Sequence, residues 1–196
     1  MAKNLIIVES PTKARLVGRY AKPVLGDVLT RACFGHLRDL PKGELGIDVK
    51  NGFLPQYVIS TGREKLIAGL RADLQAATKV YLATDPDREG EAIAWHFQQI
   101  FKPELKGKKV LRVTFHEVTE RAVQMALKSP RALNIPMVQA AVARRVMDRM
   151  LGYIISPVLW KHVKGKDLSA GRVQTVALRL LAEKPKEHVL TVELEL

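Results

Sequence analysis

Residues 79–101 read KVYLATDPDREGEAIAWHFQQIF, and their reading decides the fold. Lys79–Thr84 is a short apolar run of strand length, without the spacing of a helix face. Asp85, Asp87 and Glu89 follow at once, and the stretch from about Arg88 to Phe101 then reads as a helix. The unit is strand, acidic turn, helix. Asn4–Glu9 (NLIIVE) repeats it near the start of the chain. Leu5, Ile6, Ile7 and Val8 do not alternate with polar residues, as expected for a parallel strand covered on both faces. Ser10 then stands as an N-cap with Pro11 at the first helical position. The helix that follows carries Lys13, Arg15 and Arg19.

Working outward, Val28–Phe34 and Lys109–Phe115 read as further strands, and Arg63–Ala77 and Glu117–Leu127 as helices. Leu66, Leu70 and Leu74 give the first of these helices an apolar stripe. Gly35–Gly62 contains five Gly and two Pro and reads as loop with short strands. Alternating strands and helices predict an α/β layer with a mostly parallel sheet flanked by helices. After Pro130 only helices are expected: Pro136–Gly152, Ser156–Val163 and Gly171–Glu183. The expected organisation is an α/β metal-binding domain at 1–133, a small all-α lobe at 134–186, and a strand of a further domain at 187–196. That last strand, Val189–Leu196 (VLTVELEL), has no partner after it, so the structure is expected to continue beyond it.

Lys and Arg number 32 against 20 Asp and Glu, a formal charge of +12, which points to a polyanionic partner such as nucleic acid. The plainer alternative is a merely soluble basic protein. Hydrophobic residues make up 47%, which excludes a disordered tail. Cys33 is the only cysteine, so neither an internal disulfide nor a cysteine zinc site is available. MAKNLIIVES is too short an apolar run for a signal peptide, and no run approaches the roughly 20 residues of a membrane span. A reducing cytoplasm and no membrane partner are expected.

The acidic cluster carries the chemistry. In open α/β sheets ligands bind at the carboxyl ends of strands, where Asp85, Asp87 and Glu89 fall. Three carboxylates in five residues repel one another, and a divalent cation removes that cost. Magnesium is the hard ion that takes such oxygens. Glu9 ends its own strand in the same way, and Lys13 lies one helical turn beyond it. If the two strands are neighbours, Glu9 and Lys13 join the same pocket. The alternative is a charged helix N-terminus favoured by the macrodipole.

These residues carry a family resemblance. Leu5–Ala14 (LIIVESPTKA), Gly35–Pro41 (GHLRDLP) and Tyr81–His96 (YLATDPDREGEAIAWH) resemble the Toprim domain of type IA DNA topoisomerases, a Rossmann-like α/β fold. Gln139–Tyr153 (QAAVARRVMDRMLGY) and Leu168–Val176 (LSAGRVQTV) resemble the helical DNA-binding domain that follows it, most closely in the bacterial topoisomerase I branch. The resemblance implies ATP-independent relaxation of negatively supercoiled DNA. A tyrosine cleaves one strand and becomes linked to the 5′ phosphate, another strand passes, and the break is resealed. It implies Glu9 as the acid/base at the leaving 3′ oxygen, Lys13 as the stabiliser of phosphate charge, and Asp85, Asp87 and Glu89, with Glu9, as ligands of Mg2+. It further implies a monomer, cytoplasmic and associated with the nucleoid.

A single-stranded DNA site is implied along the second helical stretch. On the Pro136–Gly152 helix, Arg144, Arg145 and Asp148 share an arc of roughly 100°, while Val142, Val146 and Met150 form an apolar stripe. Arg149 and Tyr153 lie close by. Arg and Asp can bond base edges, and Tyr can stack on them; the alternative is a solvated, salt-bridged face. Small residues before a helix, in Ser169, Ala170, Gly171, Arg172, Val173 and Gln174, offer amides and side chains to a phosphate, or else are an ordinary helix start. His36, Arg88 and Trp160 match DNA-contacting positions, although a lone histidine is more often structural and a tryptophan more often core. Trp95 and His96 are assigned to packing. The tyrosines Tyr20, Tyr57, Tyr81 and Tyr153 do not stand in the family's nucleophile context, so the nucleophile and the gate domains are expected outside this sequence. A non-catalytic single-strand-binding module is the alternative function, and a stand-alone Toprim nuclease the less favoured one.

Overall fold

Strand β1 (Asn4–Val8) lies inside a four-stranded parallel sheet of order β2-β1-β7-β8. β2 is Val28–Ala32, β7 is Lys79–Leu82 and β8 is Lys109–Arg112. Asn4 pairs with Val28 on one side and with Lys79 on the other. The computed structural model describes residues 4–165 and 168–184. The chain divides into two compact units, Met1–Arg144 and Arg145–Leu196.

Side chains alternate across a strand, so β1 feeds two cores. Leu5 and Ile7 join Leu70 and Leu74 of α2 (Glu64–Ala76) and Phe97 of α3 (Arg88–Ile100). Ile6 and Val8 join Val17 and Ala21 of α1 (Pro11–Leu25) with Val123 and Leu127 of α5 (Glu120–Lys128). This is why β1 and β7 read as unbroken apolar runs: helices cover both faces. Cys33 is buried, and burial pushes its thiol up to about 11, so it is inert.

Between β2 and α2 the chain forms two short antiparallel pairs. β3 (Arg38–Asp39) pairs with β6 (Val58–Ile59), and β4 (Ile47–Asp48) with β5 (Leu54–Pro55). Phe34 and Gly35 both take positive φ and turn the chain out of β2 toward His36. Such a backbone is strained for Phe, and Arg63 Nη2 donates to the Phe34 carbonyl at 2.9 Å to hold it.

One short helix, α4 (Lys102–Leu105), lies where the sequence predicts no element. A larger correction concerns the helices expected at Pro136–Gly152 and Ser156–Val163. They are one helix, α6 (Ile135–His162), with Pro157 inside it. The sequence predicts a helix that starts at Ser156. Instead it is buried within the helix, and its Oγ accepts from the amide of Ala170 at 3.0 Å. α7 spans Arg172–Glu183. The strand expected at Val189–Leu196 lies outside the described residues.

Candidate active site

The site begins at the carboxyl ends of two adjacent parallel strands, β1 and β7. Glu9 follows β1. Ser10 caps α1 by accepting from the amide of Lys13, and Pro11 opens the helix. Lys13 is thereby set one turn above Glu9, with Nζ 3.6 Å from Glu9 Oε2. The same ammonium donates to Asp85 Oδ1. Asp85, just past β7, donates its backbone amide to Glu9 Oε1 at 2.9 Å. The structure therefore brings Glu9, Lys13 and Asp85 into one cluster.

The electrostatics follow from that geometry. Burial raises the Glu9 carboxyl above its usual range; the Asp85 amide opposes this without cancelling it. Burial pushes Asp85 the same way, but the hydrogen bond from Lys13, supported by Glu9 and by the charge of Arg112, brings it below the usual range. Burial disfavours the Lys13 cation, and its bond to Asp85 and the charges of Glu9 and Asp85 outweigh that and raise it. The cluster thus separates two carboxyls, one inclined to hold a proton and one to stay ionised.

Asp87 and Glu89 are turned to other tasks. Asp87 is the N-cap of α3 and accepts from the Gly90 amide at 2.7 Å. Glu89 pairs with His36 Nε2 at 2.5 Å. Arg88, between them, is exposed. Among the described residues no three His, Cys, Asp or Glu side chains form a group that could hold a metal ion. The donors are the hard oxygens that Mg2+ takes, but in this arrangement each carboxylate has a protein partner.

Several supporting residues carry no recognisable motif for their role in the sequence. Gly90 is needed for close approach, since a Cβ there would lie 2.1 Å from the Asp85 carbonyl oxygen. Glu91, fully buried on the first turn of α3, pairs with Arg112 and Arg131 and accepts from the Asn134 amide at 2.9 Å. A lone arginine inside the apolar run VLRV was the available signal, because a buried cation requires a partner. Arg38 lies over the rings of Tyr57 and Trp95 at 4.8 and 4.9 Å and donates to His96 Nδ1. Burial, then the charges of Arg38 and His36, push His96 down to about 3, so it is a neutral acceptor. The packing role expected of Trp95 and His96 agrees with this.

Arg144 and Arg145 on α6 are exposed. In the second unit Asp148 is ion-paired with Arg172, and Arg149 lies over the Tyr153 ring at 5.5 Å. Trp160 is 63% exposed, so it is not a core residue there, and its Nε1 donates to the Leu168 carbonyl at 2.6 Å. Gly171 is the N-cap of α7, and Val173 is exposed. Ser169 Oγ lies 3.3 Å from Gln174 Oε1. The Ala170 amide, one of those expected to face a phosphate, is already engaged by Ser156. No described helix is long and apolar enough to cross a membrane.

Comparison with known proteins gives the family of the chain. A family model described as the Toprim domain matches residues 4–118, and one described as DNA topoisomerase matches residues 132–194. The solved structure of full-length topoisomerase I from Thermotoga maritima is 41% identical and superposes with a TM-score of 0.76. That match covers 90% of this chain and 29% of the Thermotoga maritima chain. The chain belongs to the type IA DNA topoisomerases and corresponds to their N-terminal region, a Toprim domain followed by the beginning of the helical part.

Proposed function

We propose that this region supplies the proton- and metal-handling half of a site that cleaves and reseals single-stranded DNA, relaxing negatively supercoiled DNA without ATP. The observation that carries the reading is the convergence of Glu9, Lys13 and Asp85 at the ends of β1 and β7. Glu9, held toward its protonated form by burial, gives a proton to the leaving 3′ oxygen and takes it back on resealing. Lys13 offsets charge on the phosphate. Asp85, Asp87 and Glu89, with Glu9 beside them, would hold Mg2+, which supplies charge neutralisation at the phosphate when bound. Asp87 and Glu89 are exposed, and releasing the Asp87 cap costs about 1 kcal/mol, which ion binding can offset.

The attacking tyrosine lies outside this chain. Tyr81 is buried in β7, Tyr57 packs against Trp95 and His96, Tyr20 lies beside Arg19, and Tyr153 lies under Arg149. DNA contacts come from His36 and Arg88 near the carboxylates, and from Arg144, Arg145, Asp148, Arg149, Tyr153, Trp160 and the segment Ser169–Gln174 on the helical part. We place the boundary between the Toprim and helical domains near residue 133, with the helical domain at 134–186. The partner is single-stranded or negatively supercoiled DNA, the acting form a monomer, and the compartment the cytoplasm, with the nucleoid as its site of action.

The test incubates the chain with Mg2+ and negatively supercoiled plasmid, then with labelled single-stranded oligonucleotide. Expected are binding, no relaxation and no covalent adduct. An adduct would refute a nucleophile elsewhere. Free cleavage products abolished by Asp85→Ala would assign a metal-dependent nuclease instead. Binding unaffected by Asp85→Ala, with relaxation still absent when the rest of a topoisomerase chain is supplied, would leave only a DNA-binding module.

A further inference from the structure

Arg112 closes β8, and its side chain is 1% exposed. A guanidinium has five N–H donors in a planar fork, and this one reaches five oxygens. Nε donates to Glu91 Oε1 at 2.8 Å. Nη1 donates to the carbonyls of Leu82, Thr84 and Val113 at 2.9, 2.8 and 2.6 Å. Nη2 donates to the Asp85 carbonyl at 2.6 Å. Three of these carbonyls belong to the segment that leaves β7 and becomes the acidic turn. The ladder between β7 and β8 ends where that segment begins, so Arg112 takes the place of a strand there. The backbone of Asp85 is thereby held from both sides, its carbonyl by Arg112 and its amide by Glu9 Oε1. The Thr84 hydroxyl, donating to the Gly90 carbonyl at 2.6 Å, fastens the same turn to α3.

We propose that Arg112 is a positioning residue for the active site: by clasping the carbonyls of Leu82, Thr84 and Asp85 it sets the Asp85 amide against Glu9 and fixes the turn that carries Asp85, Asp87 and Glu89. Glu91 is its counter-charge, and Arg131 and the Asn134 amide complete the Glu91 shell. The role rests on the reading of Glu9 and Asp85 as proton- and metal-handling groups. A core arginine serving stability alone would make the same contacts, so the test separates the two.

Arg112→Lys keeps the cation opposite Glu91 but cannot span three carbonyls in one plane. On the metal-free chain, hydrogen exchange of the Asp85 amide is expected to quicken about tenfold, while the interior amides of β1 and β7 keep their protection. In the same variant the dissociation constant for Mg2+ is expected to rise about 10- to 100-fold, as for other residues that orient metal ligands. Glu91→Gln keeps an oxygen for Nε but removes the counter-charge, so it should lower overall stability in urea while quickening exchange of the Asp85 amide less than Arg112→Lys does. In the wild-type chain the two Nη groups of Arg112 should give separate NMR signals, because the clasp blocks rotation; this arm needs no variant to fold.

The proposal is overturned if Asp85 keeps its protection in folded Arg112→Lys. It is equally overturned if every β1 and β7 amide loses protection together, if Glu91→Gln loosens Asp85 as much as Arg112→Lys does, or if the Nη signals are averaged. If wild type binds no Mg2+, the metal reading fails and the Asp85 amide still decides the role of Arg112.

Discussion

The amide of Asp85 donates to Oε1 of Glu9 at 2.9 Å, joining residues 76 positions apart. The contact exists because β1 and β7 are parallel neighbours, in register from Asn4–Lys79 to Ile7–Leu82, and both end at the same edge of the sheet. It holds a half-buried carboxylate close to another, which separates their proton affinities and gives the site its pH signature.

Glu9 and Asp85 should affect stability in opposite senses. The folded state raises Glu9 above its ordinary value of 4.5 through burial. Its contribution is therefore present below about pH 4.5 and is lost as pH rises through the raised value. Glu9→Gln should melt higher than wild type at pH 7, with the difference vanishing in acid. Burial opposes ionised Asp85, yet Lys13 and its neighbours hold it below 3.8, so its contribution is present above 3.8 and is lost as pH falls through the lowered value. Asp85→Asn should melt lower at pH 7 and converge on wild type in acid. Melting curves from pH 3 to 8 check both signs.

Glu91→Ala should be among the most damaging substitutions in the Toprim domain. It leaves Arg112 as a buried cation without its counter-charge, a change that costs about 3–5 kcal/mol. Urea denaturation reads the loss directly. A loss below about 1 kcal/mol would mean that water or Asp85 replaces the pairing.

Gly90→Ala tests the close approach of α3 to the acidic turn. Helix propensity alone favours alanine by about 1 kcal/mol. The added Cβ would lie 2.1 Å from the Asp85 carbonyl oxygen, and backbone must shift to relieve it. The expected net effect is a loss of about 1–3 kcal/mol, with displaced NMR signals for Asp85 and Asp87. Increased stability in urea would show that the turn yields freely.

Arg145→Ala tests the helical contribution to DNA binding. The side chain is exposed on α6. If it neutralises a phosphate, the variant should bind single-stranded oligonucleotide more weakly, and the slope of log K against log salt should shrink by about 0.7. Unchanged affinity and slope would remove Arg145 from the DNA surface.

The sequence by itself determined the parts of this fold that depend on local chemistry. Apolar runs at Leu5–Val8 and Val80–Leu82 specify strands covered on both faces, and Ser10, Pro11 and Asp87 mark where helices begin. Because strand ends and helix starts are local, Glu9, Lys13 and Asp85 were legible as candidate site residues, and they form one site because β1 and β7 are neighbours in the sheet. What the tertiary structure decided was how each polar group is satisfied. Glu89 meets His36, and Ser156 accepts from Ala170 inside a helix expected to break there. Arg112 stands as a lone charge in an apolar run, and its role comes from oxygens on two other segments, Leu82–Asp85 and Glu91, besides the carbonyl of its neighbour Val113. The physical reason is that burial makes an unpaired polar group costly, while the partner that relieves the cost is chosen by packing across the sheet and not by proximity along the chain.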